Sequence, residues 1–247
     1  MSEGELRNIK LRIEYEGTEF YGWQRQPGLR TVQGEIAGSL KKILGEEVKL
    51  TGAGRTDAGV HALRQVVNFF TESGLSLKTI KDSLNSLLPS SIVIGGVSEV
   101  PLGFNARFDA QRRRYRYRYF MGRTALNRNF VWEIPYRLDA ARMESAANIL
   151  LGEKDFSSFC TQENGEKNKV CRVFHSQVRQ RGREVTFTIE ANRFLHNMVR
   201  ILAGTLLDVG RGKLSAKDFQ AILKSKDRRN AGPTAPAKGL SLVGVWY

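Results

Sequence analysis

The chain has 247 residues, 41% of them hydrophobic, with 39 lysine and arginine residues against 25 aspartate and glutamate residues. No stretch approaches the roughly 18 consecutive apolar residues of a membrane-spanning helix. Residues 1–5 also lack the apolar segment of a signal peptide. The composition therefore excludes a membrane protein and predicts a soluble, cytoplasmic protein with enough apolar material for a core.

The excess of basic residues is the first functional indication. A formal net charge of +14 and a pI of about 10.0 are typical of proteins that bind nucleic acid. A basic surface without a partner is the alternative, because net charge also serves solubility. The two cysteines, Cys160 and Cys171, and the three histidines fit neither a zinc-ligand spacing nor a disulfide framework. Both cysteines are therefore predicted to be reduced thiols.

The first half of the chain reads as strand, helix, strand and helix. Alternating apolar and charged residues predict a strand over residues 9–15. An apolar stripe predicts a helix from Thr31. A turn with three glycines leads into a strand over residues 65–70, and a second helix over residues 77–87 stops before Pro89.

The second half repeats this order of elements. Its predicted strands and helices are a strand over 113–120, a helix from Asp139 to 151 ended by Gly152, a strand over 185–189, a helix over 194–209 closed by Gly210, and a strand over 240–245. Pro101 and Gly103 place the domain boundary between residues 1–103 and 104–247. Strands that return through hairpins and single helices predict an α+β fold with antiparallel sheets. The free basic face of such a sheet suits RNA.

Residues 52–61, Gly-Ala-Gly-Arg-Thr-Asp-Ala-Gly-Val-His, form the most unusual segment. No Gly-Lys-Ser/Thr follows, so it is not a phosphate-binding Walker loop. It places Asp57 two residues from Arg55 on a loop flanked by glycines. One interpretation is that Asp57 only braces a turn. The other is that it is a nucleophile, which requires an ionised, aligned carboxylate shielded from water. A single carboxylate disfavours ordinary glycoside hydrolysis, which uses two.

Residues 112–119, Arg-Arg-Arg-Tyr-Arg-Tyr-Arg-Tyr, give the second signal. On a strand, three tyrosines share one face and arginines the other. Tyrosine stacks on bases and arginine pairs with phosphate, so the pattern suits RNA. An ordinary strand with inward tyrosines and a solvated basic face fits equally well. Arg200 is expected to extend to solvent, His196 to be structural, and residues 232–236 to form a rigid loop.

Residues 55–61 resemble the signature of TruA-type tRNA pseudouridine synthases. Further blocks resemble the family in the same order and span nearly the whole chain. They are residues 15–17 with 20–24, 31–35, 104–108 leading into 113–117, 155–159, 194–200, and 232–236 with 239–240. Ser241 departs from the pattern, since the family more often has an aromatic or otherwise bulky residue there, and this puts local packing in question.

The resemblance implies roles for five residues. Asp57 corresponds to the catalytic aspartate, Tyr115 to the tyrosine that stacks on the target uracil, and Arg200 to the basic residue that pairs with the aspartate. Leu240 corresponds to an apolar wall of the pocket, and Arg55 to the arginine that helps displace or replace the target base. The implied substrate is uridine 38, 39 or 40 in the anticodon stem-loop of tRNA.

The resemblance also implies an architecture and a reaction. The family has two similar α/β domains that share an extended antiparallel sheet with a central basic cleft, and it acts as a homodimer. Its reaction breaks the N1–C1′ bond and rejoins uracil through C5, so no metal or organic cofactor is expected. Asp57 attack at C1′, attack at C6 and removal of the C2′ proton all remain open. The main alternative is a noncatalytic basic RNA-binding module; a nucleotide hydrolase or transferase lacks a second carboxylate or a histidine–nucleophile pair.

Overall fold

The computed structural model describes residues 5–161 and 168–247. Residues 1–4, which contribute to the prediction that no signal peptide is present, lie outside that range. The chain divides into two compact units, Met1–Gln111 with Leu242–Tyr247, and Arg112–Ser241. Each unit combines an antiparallel sheet with helices, so the predicted α+β class is confirmed.

The elements follow one another along the chain as strands and helices. The strands are β1 (Arg7–Tyr15), β2 (Thr51–Gly52), β3 (His61–Thr71), β4 (Ile92–Val100), β5 (Arg112–Met121), β6 (Trp132–Ile134), β7 (Gly152–Asp155), β8 (Val170–Arg181), β9 (Glu184–Ala191) and β10 (Leu240–Trp246). The helices are α1 (Val32–Leu44), α2 (Leu77–Leu87), α3 (Ala140–Asn148), α4 (Met198–Gly210) and α5 (Ala216–Ser225).

The sheet of the first unit has β1 at its centre. β1 pairs antiparallel with β3 on one side and β4 on the other, and β2 extends from β3. Ile9, Leu11 and Ile13 are fully buried, as the predicted alternation requires. Helix α1 begins after Thr31, whose hydroxyl oxygen accepts a hydrogen bond from the Gly34 amide. This cap satisfies one of the free amides at the helix start, and the predicted helix is confirmed.

The sheet of the second unit runs in the order β5, β9, β8 and β7, with antiparallel neighbours. The short strand β6 lies parallel to β5. The tyrosines of β5 face the core, and the arginines between them are more exposed. Helix α3 packs against both α4 and α5 within this unit.

Several elements differ from the sequence expectation. Helix α4 begins at Met198, four residues later than predicted, because Asn197 has a left-handed backbone (φ 59°) that breaks the helix on its N-terminal side. Helix α3 begins after Asp139 as predicted but ends at Asn148, and Gly152 opens β7. Five strands and one helix were not predicted, namely β2, β4, β6, β7, β8 and α5. The Ser215–Asp218 capping box of α5 was a readable signal for that helix.

The first compact unit extends beyond residue 103 because the segment that follows this residue is hydrogen-bonded to β1 and β3. The side-chain amides of Asn8 and Asn68 donate to the Phe104 carbonyl at 2.9 Å and 3.3 Å. The Ala106 amide donates to Asn68 Oδ1 at 2.9 Å, and the Tyr247 hydroxyl donates to the Ala106 carbonyl at 2.9 Å. These bonds satisfy polar groups that are buried with the segment.

Candidate active site

Asp57 lies in the loop between β2 and β3, and the preceding segment 17–23 holds this loop through main-chain contacts. The Trp23 amide donates to the Thr56 carbonyl at 3.0 Å, and the Gly59 amide donates to the Phe20 carbonyl at 3.2 Å. Within the loop, the Val60 amide donates to the Asp57 carbonyl at 3.1 Å. The loop is therefore fixed on both sides of Asp57, whose side chain is half-buried while that of Arg55 is exposed.

Gly22 allows segment 17–23 to lie directly against the Asp57 loop. Its φ of +86° is in the left-handed region, which favours glycine. A side chain here would also place Cβ 2.6 Å from the Thr56 carbonyl oxygen and 3.0 Å from the Asp57 carbonyl carbon. Two backbone segments thus approach each other directly, one of them carrying the carboxylate. Residues 20–24 belong to one of the blocks that resemble the family, but their close contact with the Asp57 loop is not readable from the sequence.

Tyr15 supports the loop from the core. Its hydroxyl and the Thr56 hydroxyl are 2.8 Å apart, and its ring stacks against Trp23 with centroids 6.3 Å apart. Burial raises the pKa of Tyr15 to about 12, although hydrogen bonds from Thr56 and Gln65 partly offset the effect. The phenol therefore stays neutral and keeps its hydrogen bond throughout the physiological range.

This raised pKa predicts a loss of stability at alkaline pH. The unfolded phenol ionises near pH 10, whereas the folded one holds its proton to about pH 12. Stability is thus fully present below pH 10 and falls between pH 10 and 12, by about 2 to 3 kcal/mol from this group. Denaturant unfolding of Tyr15→Phe should show a shallower alkaline loss than wild type, from a lower starting stability at pH 7. Parallel curves would contradict this.

Tyr115 is the tyrosine of β5 that retains some exposed surface. It is 7% exposed, whereas Tyr117 and Tyr119 are fully buried. The hydroxyls of Tyr117 and Tyr119 donate to the carbonyls of Pro236 and Ala203, each at 2.8 Å, so both are structural. The Tyr115 ring meets the Phe194 ring edge-on, with centroids 5.0 Å apart. Of the alternating tyrosines, Tyr115 is therefore the one that remains a candidate for stacking on a base.

Several arginines on the opposite face of β5 form ion pairs within the protein. Arg118 makes two hydrogen bonds of 2.8 Å to the carboxylate of Glu184. These bonds hold the pKa of Glu184 below its ordinary value. Arg114 binds the buried carboxylate of Glu190 at 2.6 Å. The expected solvated basic face thus contains ion pairs across neighbouring strands.

Arg200 lies in the first turn of α4 and does not simply extend to solvent as expected. Its Nε donates to the Ala235 carbonyl at 2.8 Å, and its Nη1 donates to Asn197 Oδ1 at 2.8 Å. The Ala235 amide in turn donates to the Arg200 carbonyl at 3.1 Å. The left-handed backbone of Asn197 leaves its side chain free of any helix-capping bond. The guanidinium group is therefore oriented by two acceptors.

The loop 232–236 holds this arginine in place and is thus more than a rigid connection. It packs against α4 at Gly204, where a Cβ would lie 1.8 Å from the Pro233 carbonyl oxygen. The Gly232 amide donates to the Thr205 hydroxyl at 2.9 Å, and a Cβ at Gly232 would lie 2.9 Å from the Thr205 backbone. Glycines at both contact points allow backbone to meet backbone, which brings Ala235 to Arg200.

The packing around Leu240 and the hydrogen bond of His196 define the surroundings of these two residues. Leu240 is buried and follows Gly239, which lies against the Tyr117 ring. Ser241 is also buried, so the chain packs here without a bulky side chain. His196 Nδ1 is 2.7 Å from the Thr161 hydroxyl, a bond consistent with its predicted structural role.

The site residues named from the sequence fall into both units. Arg55 and Asp57 belong to the first, and Tyr115, Arg200 and Leu240 belong to the second. Among residues 5–161 and 168–247, no group of histidine, cysteine and carboxylate side chains could hold a metal ion. No helix in the same ranges is long and apolar enough to cross a membrane.

The profile of one protein family, described as tRNA pseudouridine synthase, matches residues 12–109 and 146–247. The chain belongs to this family. It is an isomerase that converts uridine in tRNA to pseudouridine.

Named relatives support this membership over almost the full length. The chain is 46% identical over 244 residues to tRNA pseudouridine synthase A of Caldicellulosiruptor bescii, with 98% of this chain and 100% of the relative covered. It is 43% identical, with the same coverage, to the protein of that name in Acetivibrio thermocellus. A solved structure titled as a Cbf5-Nop10-Gar1 complex contains a distant neighbour at 14% identity and a TM-score of 0.36, covering 94% of this chain and 57% of the neighbour.

Proposed function

We propose that this enzyme converts uridine 38, 39 or 40, or several of these, to pseudouridine in the anticodon stem-loop of tRNA, with Asp57 as nucleophile. The observation that supports this most directly is the fixed main chain around Asp57. A carboxylate held between the Trp23–Thr56 and Gly59–Phe20 hydrogen bonds has little freedom of position. Such preorganisation is what a nucleophile in an aligned attack requires.

The reaction needs no net oxidation or reduction. The N1–C1′ bond breaks, the uracil turns, C5 bonds to C1′, the hydrogen of C5 leaves as a proton, and N1 takes up a proton, so that the product is an isomer of the substrate. Asp57 can begin this sequence by attack at C1′, by attack at C6, or by taking the C2′ proton. All three routes require the ionised carboxylate at the target nucleotide and conserve every atom of the base except the exchanged hydrogen.

The remaining site residues are proposed to bind and orient the nucleotide. The target base must leave the helix, at a cost of a few kcal/mol that stacking and pocket contacts offset. We assign stacking on the uracil to Tyr115, an apolar wall to Leu240, and displacement or replacement of the base to Arg55. Arg200 is assigned the role of basic partner of the aspartate. The two acceptors that bind its guanidinium group hold this group in one orientation, which supports the assignment.

Tritium release tests the reaction. The substrate is tRNA transcribed with 5-³H-uridine, in versions that keep uridine at only one of positions 38, 39 and 40. Release from at least one version supports the proposal and identifies the position. Absence of release from all versions, with tight and salt-sensitive tRNA binding, would instead support a noncatalytic RNA-binding module.

A homodimer is also proposed, as the family resemblance implies. Size-exclusion chromatography with light scattering on the purified chain should give twice the monomer mass of 27.8 kDa. A monomeric mass at the enzyme concentration that supports turnover would contradict this part of the proposal.

The Tyr115 assignment predicts a selective effect for Tyr115→Phe. The ring and its edge-on contact with Phe194 (5.0 Å between centroids) remain, so stability should change by less than about 1 kcal/mol. If stacking is the contribution of Tyr115, tRNA affinity and turnover should both persist within about threefold, a limit set by roughly 0.6 kcal/mol of binding energy. A large fall in turnover alone, in single-turnover assays, would assign the hydroxyl a role in the chemistry.

A further inference from the structure

An exposed aromatic ring in the second unit lies between two arginines. Phe174 on β8 is 37% exposed. The guanidinium carbon of Arg112 is 4.7 Å from the ring centroid, and that of Arg172 is 5.5 Å from it. Both distances are within the range of a cation–π interaction. These three side chains, called here the Phe174 cluster, combine two cationic planes with one apolar ring.

A β-bulge presents this ring. Val173 pairs with Ala191 and His175 pairs with Glu190, so Phe174 is the additional residue on β8. Bulges redirect a side chain and occur frequently next to functional sites. The neighbouring Val173 is buried in the core, whereas Phe174 exposes part of a large apolar ring.

The cluster and the side chains next to it contain more arginines than carboxylates, and this excess of positive charge favours an anionic partner. Arg112 lies 3.4 Å from the Glu190 carboxylate, which Arg114 also binds, at 2.6 Å. Two guanidinium groups thus share one buried carboxylate. Arg172 is exposed and lies opposite Glu153 of β7 in the sheet register. Its main chain exchanges hydrogen bonds with Asn192 at 2.9 Å and 3.1 Å, two residues before Phe194.

We propose that Arg112, Phe174 and Arg172 form a contact surface for unpaired nucleotides of the tRNA substrate, separate from the residues assigned to the chemistry. Guanidinium planes and aromatic rings stack on unpaired bases, and the two cations neutralise phosphates. The hydrogen bonds of Arg172 and Asn192 connect the cluster to the segment that carries Phe194, the neighbour of Tyr115. This proposal rests on the proposed function only in taking tRNA as the ligand.

The test measures tRNA binding over a range of salt concentrations for Phe174→Ala, Arg112→Gln and Arg172→Gln. Loss of the ring should raise Kd about 5- to 100-fold, as for one lost stacked base. Each arginine variant should lower the magnitude of the log Kd against log salt slope by about 0.7 to 0.9. Turnover at saturating tRNA should be unchanged, because the cluster binds the substrate outside the reacting base.

Arg179→Gln is the matched control. Arg179 lies on the same strand, is exposed, and loses the same charge on substitution. Phe174→Tyr keeps an aromatic ring and should restore the affinity lost in Phe174→Ala, which separates stacking from a folding defect. Arginine variants that weaken binding no more than Arg179→Gln, or Phe174→Tyr with the affinity of Phe174→Ala, would overturn the proposal.

Tritium release by the wild type separates this inference from the proposed function. Release with unaltered binding in all cluster variants would reject the cluster and leave the function intact. Weaker binding in these variants, with no release by the wild type, would support the cluster as an RNA contact and reject the proposed catalysis.

Discussion

Replacing Asp57 by asparagine is expected to abolish tritium release, by a factor of about 10⁴ or more, as expected when a catalytic nucleophile is removed. Asparagine has the same shape but cannot attack as an anion or accept the C2′ proton. The Trp23–Thr56, Gly59–Phe20 and Val60–Asp57 hydrogen bonds join main-chain atoms, which the substitution leaves in place, so the variant should keep its fold. Single-turnover assays at saturating tRNA, with thermal unfolding of the same sample, measure both effects.

Asp82→Asn is the control for Asp57→Asn. Asp82 lies on α2, is exposed and pairs with Lys78 at 2.6 Å, so its substitution removes one carboxylate without touching the Asp57 loop. It should retain full tritium release. Turnover by Asp57→Asn at the wild-type rate would eliminate all three proposed first steps together, since each of them uses the carboxylate.

Gly204→Ala is expected to reduce both stability and turnover. Alanine ordinarily stabilises a helix relative to glycine, but this Cβ would lie 1.8 Å from the Pro233 carbonyl oxygen. The loop 232–236 must move away, at a cost of about 1 to 3 kcal/mol for the added methyl group. Ala235 moves with it and no longer orients Arg200. If Arg200 acts as proposed, a displacement of about 1 Å lowers turnover about 100-fold.

Gly38→Ala makes the same chemical change in α1, where a Cβ would have no other atom within 4 Å. It should stabilise the protein by about 0.5 to 1 kcal/mol and leave turnover unchanged. Urea unfolding and tritium release at saturating tRNA compare the two variants. Gly204→Ala with the stability and turnover of Gly38→Ala would show that the loop need not contact α4 closely.

The elements most accurately predicted from the sequence are those with local signals. Helices α1 and α3 begin at the predicted positions, and Thr31 and Asp139 accept hydrogen bonds from the first amides of these helices, because capping depends on residues two or three positions apart. The alternating strands β1 and β5 were also predicted. The start of α4 was not predicted, because neither the apolar stripe nor a capping residue indicates the left-handed backbone of Asn197. Arg200, which donates to the Asn197 side chain, is itself held by Ala235, a residue distant in sequence.

In the candidate site, too, features set by neighbouring residues were readable from the sequence, whereas features set by residues distant in sequence were not. The unusual segment around Asp57 was visible in the sequence, and the resemblance supplied residue roles. What holds Asp57 was not visible, because Gly22 and Trp23 meet the loop across more than thirty residues of chain. The tyrosines of β5 alternate identically in sequence, yet Tyr117 and Tyr119 are fully buried and Tyr115 is not. Only tertiary packing separates them.

The main-chain hydrogen bonds around Asp57 have a consequence for how this enzyme tolerates sequence change. Trp23 and Phe20 hold the loop through backbone atoms, which substitution of a side chain leaves in place. Ala58 is exposed, so a different residue at this position alters the surroundings of the carboxylate while the location of the carboxylate is retained. Variation at position 58 should therefore change which RNAs the enzyme accepts more readily than whether it folds.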